Sequence, residues 1–152
     1  GDVAVAADPA RREALWRLRE DHTSAINTLG PPHKFDVTLP LDALATFLDD
    51  IAAEIATAVP DACTWLFGHV GDGNVHVNVT GLDPQDERAA NVVLGRVVEL
   101  EGSISAEHGV GTAKVTWMAR SRGAGDLAAM RAIKHALDPA GVLNPRVLLP
   151  PP

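Results

Sequence analysis

The chain holds a single cysteine, so Cys63 cannot form an internal disulfide. No apolar stretch approaches the roughly 20 residues that span a bilayer, and no secretory pattern is in view. A reducing compartment is therefore expected: the cytoplasm, with peripheral contact to the inner membrane left open. A basic run is also missing. Lys and Arg total 13 against 20 Asp and Glu, the formal net charge is -7, and the arginines do not gather into a block. The chain thus lacks the electrostatic footprint of a DNA or RNA binder. There is no internal repeat, and no low-complexity segment apart from Pro150, Pro151 and Pro152. The opening Gly1-Asp2, without Met, raises the expectation of an excised piece of a longer protein.

What is present suits one globular domain: 152 residues, 46% apolar and 22% charged. Asp8-Pro9 is a helix start, with Asp as N-cap and Pro at the first helical position. Leu15, Leu18, His22, Ala25, Ile26 and Leu29 then recur at helical spacing, which predicts one helix over about 9–29, stopped by Gly30-Pro31-Pro32. From His33 to Leu39 apolar and polar residues alternate as in a half-buried strand. Further helices are expected over about 41–58, 85–101, 111–119 and 125–137, and strands over 64–70 and 75–80. Helices alternating with hairpin signals predict an α+β fold, an antiparallel sheet with helices packed on one side. Trp16, Trp65 and Trp117 are expected in a core or interface, His22 packed, Cys63 buried, and His33 and His135 facing solvent.

Chemistry concentrates in Phe67-Gly68-His69-Val70-Gly71-Asp72-Gly73-Asn74-Val75-His76-Val77-Asn78. Asp-Gly between apolar runs favours a two-residue type I′ turn. A turn at Asp72-Gly73 sets Gly71 opposite Asn74, Val70 opposite Val75 and His69 opposite His76. Opposed residues have Cβ atoms about 4.5–5.5 Å apart, close enough for two imidazoles to share a metal ion. Asn78 falls on the same face, while Val75, Val77 and Val79 take the core side. The plainer reading, two histidines on a solvated face, stays open. A phosphate loop at Gly71-Asp72-Gly73-Asn74 is disfavoured, because no helix N-terminus follows it. Glu107-His108, in a loop flanked by Gly109 and Gly111, is either a ligand-plus-base pair or an ordinary turn. Arg19 and Thr23 lie one helical turn apart. By periodicity alone these two and Lys34 read as solvated surface.

Three segments, in order, resemble the C-terminal signatures of the FAD-linked oxidase family: His69 to Asn78, Glu107 to Gly111, and Asp138-Pro139-Ala140-Gly141-Val142-Leu143-Asn144-Pro145. Trp16 to Glu20 is similar to that family's Trp-x-x-Arg-Glu helix, and the likeness runs from about Trp16 to Leu149. The family includes D-lactate and D-2-hydroxyglutarate dehydrogenases and the flavin subunit of glycolate oxidase. The resemblance implies that His69, His76 and Glu107 hold a divalent metal, zinc or a similar ion, and that His108 is the catalytic base. It further implies that Arg19, Thr23, Lys34 and Asn78 bind substrate, and that Asn144 touches the cofactor.

The chain departs from the pattern at its C-terminus, where the family often has Asn-Pro-Gly-Lys and this sequence has Asn144-Pro145-Arg146. The implied FAD-binding domain is N-terminal to this region and none of it is present. The expectation is therefore a partial domain, a substrate- and metal-binding piece that works with FAD held mainly elsewhere and is inactive alone. Its partners would be a small 2-hydroxy acid and the missing flavin domain, with a homodimer allowed and the electron acceptor open. Two other readings stay open: a zinc-dependent hydrolase using His69, His76 and Glu107, and a non-catalytic truncated module.

Overall fold

A computed structural model describes residues 3–150. The elements run α1 (Pro9–Glu20), α2 (His22–Asn27), β1 (His33–Thr38), α3 (Leu41–Ala58), β2 (Cys63–His69), β3 (Asn74–Thr80), α4 (Arg88–Glu99), a 3₁₀ turn (Val115–Trp117), α5 (Met118–Ser121) and α6 (Ala124–Leu137). The strands form one antiparallel sheet in the order β1-β3-β2. The fold is α+β, as expected.

Local chemistry explains the best-defined pieces. Pro40 precedes α3, and Asp42 in the first turn complements the helix dipole. Leu44, Phe47, Ile51 and Ile55 then recur on one buried face. In α4, Ala89, Val93, Leu94 and Val97 do the same. Both faces join Phe35, Val37, Val75, Val77 and Val79 of the sheet in a single core. The other sheet face is polar and carries the site.

Several expectations change. The single helix over 9–29 is two helices, broken at Asp21. Nothing in α1 is buried, so no core contact holds the two segments in one rod. Trp117 is in the core, but Trp16 and Trp65 are exposed. Cys63 is exposed because β2 is an edge strand and this residue begins it. Beyond the three strands, Ser103 makes a single antiparallel bridge to Thr38.

The hairpin register also differs. His69 pairs with Asn74, and Phe67, not His69, stands opposite His76. The connection is therefore four residues, 70–73. A type I′ turn needs positive φ at both central residues, but of Asp72 and Gly73 only Gly73 has it, at φ 72. The Asp72 side chain accepts a hydrogen bond from Asn74 N–H at 3.0 Å, an Asx turn that opens the loop. Gly73 also lies where an added Cβ would come within 2.2 Å of the Leu39 carbonyl oxygen. Gly73→Ala combines left-handed strain with a backbone clash. It is expected to lower stability by more than about 1 kcal/mol, read as a lower urea midpoint at unchanged slope.

Candidate functional site

The polar sheet face is built in three rows across β1, β3 and β2: Lys34–Asn78–Trp65, Asp36–His76–Phe67 and Thr38–Asn74–His69. A register shift of two residues preserves the face on which each side chain projects. His69 and His76 therefore share a side as the turn argument required, but as diagonal neighbours. Their ring centroids are 6.3 Å apart. His76 is the hub: the His108 ring is 6.2 Å from it and the Phe67 ring 5.0 Å.

Two segments complete the site from outside the sheet. From α1 and α2, Arg19, Glu20, His22 and Thr23 meet Phe67, Gly68, His69 and His76 around a cleft of about 230 Å³. Arg19 Nη2 donates to His69 Nε2 at 2.5 Å, and His22, although exposed, stacks against Phe67 at 5.4 Å. His69 Nδ1 is 3.8 Å from Glu107 Oε1. From the other side, the loop after Ile104 delivers Glu107 and His108.

What holds that loop is a residue the sequence reading passed over. Asp36 is 4% exposed. Its Oδ2 accepts the main-chain N–H groups of Glu107 at 2.7 Å and His108 at 3.0 Å. Its Oδ1 accepts Asn74 Nδ2 at 2.8 Å and lies 3.5 Å from His76 Nδ1. Burial pushes the Asp36 carboxyl up. Hydrogen bonds from Asn74, His108 and Glu107 outweigh it, and the nearby His108 charge adds to them, so it titrates below the usual aspartate value. Lys114 Nζ donates to the Asp36 carbonyl at 3.2 Å and the Ile104 carbonyl at 2.7 Å, lashing the loop base to β1. Burial lowers the Lys114 pKa, partly opposed by Asp36. One signal could have flagged Asp36: it is the acidic residue on the polar side of the alternating strand β1, and it pairs with the candidate ligand His76.

Of the residues singled out from sequence, the structure brings together Arg19, Thr23, His69, His76, Glu107 and His108. Lys34 and Asn78 form the adjoining row; Asn78 is buried and Lys34 exposed. Asn144 is not among them. It lines a separate apolar groove between α6 and the C-terminal tail, with Met130, Ile133, Leu137 and Leu148. Arg146 has φ 64, a left-handed conformation that glycine adopts freely. It stands at the position of the Gly in the Asn-Pro-Gly-Lys pattern.

The donor chemistry suits a zinc-like ion, with two imidazoles, a carboxylate, and Asp36 behind His76 as an outer-shell partner. The geometry is looser. Among the described residues no three His, Cys, Asp or Glu side chains converge on one point. Arg19 occupies the Nε2 that His69 would offer. For FAD, the Gly71–Asn74 loop leads into a strand, so it is no phosphate-binding helix start.

The chain belongs to the family of FAD linked oxidases, C-terminal domain, which it matches over residues 1–148. It is 38% identical to a D-2-hydroxyglutarate dehydrogenase of Xanthomonas citri pv. viticola, over 95% of this chain and 32% of that protein. It is 35% identical to the mitochondrial D-2-hydroxyglutarate dehydrogenase of Danio rerio, over 98% of this chain and 28% of that protein. The Arabidopsis thaliana mitochondrial enzyme of the same name is 33% identical, matched over 98% of this chain and 27% of its own length. The chain thus spans about a third of the curated relatives it matches. No described helix is long and apolar enough to cross a membrane.

Proposed function

We propose that this chain is the substrate-binding part of an FAD-dependent dehydrogenase that oxidises a D-2-hydroxy acid to the 2-oxo acid, with D-2-hydroxyglutarate the leading candidate. The flavin would be held by a domain outside residues 1–152, and the location would be cytoplasmic, with inner-membrane contact open. The observation that carries this reading is the convergence of a cationic side chain, Arg19, and two imidazoles, His69 and His76, around one cleft, with the His108 ring 6.2 Å from His76, in a member of this family.

Each residue has a role its chemistry supports. Arg19, with a planar fork of donors, takes a substrate carboxylate. Thr23 adds a hydroxyl beside it, and Lys34 and Asn78 bind from the neighbouring row. His108 takes the proton of the substrate hydroxyl at an imidazole nitrogen; imidazole titrates near neutrality and suits that task. His69, His76 and Glu107 would hold a divalent ion, which when bound supplies Lewis acidity at the substrate hydroxyl. Arg19 donates to His69, so a carboxylate that draws Arg19 away also frees His69. The flavin supplies the two-electron acceptor. Asn144, on the tail, remains a candidate for the cofactor side.

The test uses the full-length protein under anaerobic conditions, mixed in turn with D- and L-2-hydroxyglutarate while flavin absorbance is followed. Bleaching by the D enantiomer and none by the L is expected. Flavin-independent ester or amide hydrolysis that is lost with zinc chelation would move the site to the hydrolase class.

A further inference from the structure

We infer that Asp36 is a positioning residue: one buried carboxylate clamps the Glu107–His108 loop to β1 and orients His76, so that His108 and His76 keep a fixed separation. The inference rests on the reading of His108 as the base.

The argument is one of saturation. A carboxylate offers two oxygens, and here both are engaged inside the protein. Oδ2 takes two successive main-chain N–H groups from a loop more than 70 residues away in sequence. Oδ1 takes Asn74 and faces His76 Nδ1 at 3.5 Å. Glu107 and His108 are themselves exposed, so packing does little to fix their backbone. Their anchoring falls to Asp36, helped at the loop base by Lys114 and by the Ala106 N–H on the Asp36 carbonyl at 3.3 Å. Asparagine has the same shape but only one oxygen. Turned toward Asn74 and the loop in either sense, it sets a donor against a donor on one side. Either Asn74 turns its amide over and gives up its bond to the Val37 carbonyl, or the loop or His76 shifts, and a displacement of about 1 Å at a reacting group can cost roughly 100-fold in rate.

The test combines two readouts on the full-length flavoenzyme. Asp36→Asn is expected to speed hydrogen exchange at the Glu107 and His108 amides at least about tenfold, as loss of an acceptor allows. It is expected to slow flavin reduction about 10–100-fold, while the substrate dissociation constant stays within about threefold because no substrate-binding side chain changes. Should Asp36→Asn fail to fold, the exchange Asp36→Asn with Asn74→Asp retains a donor–acceptor pair between the two positions and leaves an amide oxygen for the loop, at the cost of the Asn74 bond to the Val37 carbonyl. It is expected to regain fold, amide protection and most of the rate together. The inference is overturned if the amides lose protection while the rate stays within threefold. It is also overturned if the rate falls with both amides still protected, or if the double exchange restores protection without restoring the rate. Failure of the His108 reading looks different: His108→Ala then leaves flavin reduction unchanged while Asp36→Asn still releases the loop amides.

Discussion

Replacing His108 with alanine in the full-length enzyme is expected to slow substrate-dependent flavin reduction by about 10²–10⁴-fold, the usual contribution of a positioned general base. Stability should hardly change. The contact that fixes this residue is its main-chain N–H on Asp36, which alanine keeps, and the residue is exposed. Substrate should still bind, because Arg19 and Thr23 reach the cleft from different elements. Anaerobic stopped-flow with a separate binding titration separates the two effects. Near-normal reduction would remove His108 from the mechanism.

The second large effect belongs to Arg19. Its guanidinium is expected to exchange Glu20 and His69 for a substrate carboxylate, a charge-assisted pair in the range of about 1.5–3 kcal/mol. Arg19→Ala should therefore raise the substrate dissociation constant about 10- to 150-fold. Arg19→Lys should fall between, keeping the charge and losing the fork. Thermal stability is the control. No residue of α1 is buried, so the midpoint should stay within the small range typical of surface substitutions. A large loss of stability with unchanged affinity would make Arg19 a structural residue.

The legible parts of the sequence were those where local signals and burial agree. Helix α3 follows from Pro40 and the spacing of Leu44, Phe47, Ile51 and Ile55, and its observed bounds are the expected ones. The alternation in β3 named the core valines correctly because each lies on the packed sheet face. The break at Asp21 was hidden: the apolar positions continue across it, and nothing local marks the turn. The hairpin register was misread because Asp72 acts through its side chain, whereas the type I′ rule reads backbone preference alone. Asp36 was invisible as a buried residue. Its place in the strand pattern is that of a solvated position, and the loop that buries it arrives from Glu107 and His108. Glu107 and His108 stood out by their glycine-flanked loop, and only their roles came from family resemblance. The structure adds what brings them to His76.

The four-residue hairpin loop carries one further implication. Side chains return to the same sheet face at every second residue, so β2 can slide against β3 in steps of two and still present His69 and Phe67 beside His76. A slide of one would turn His69 toward Val75 and Val77 and bring Gly68, which has no side chain, to the cleft. The pairing in this hairpin is thus constrained by parity: a slip of two residues leaves the imidazoles facing the cleft, while a slip of one turns His69 into the core.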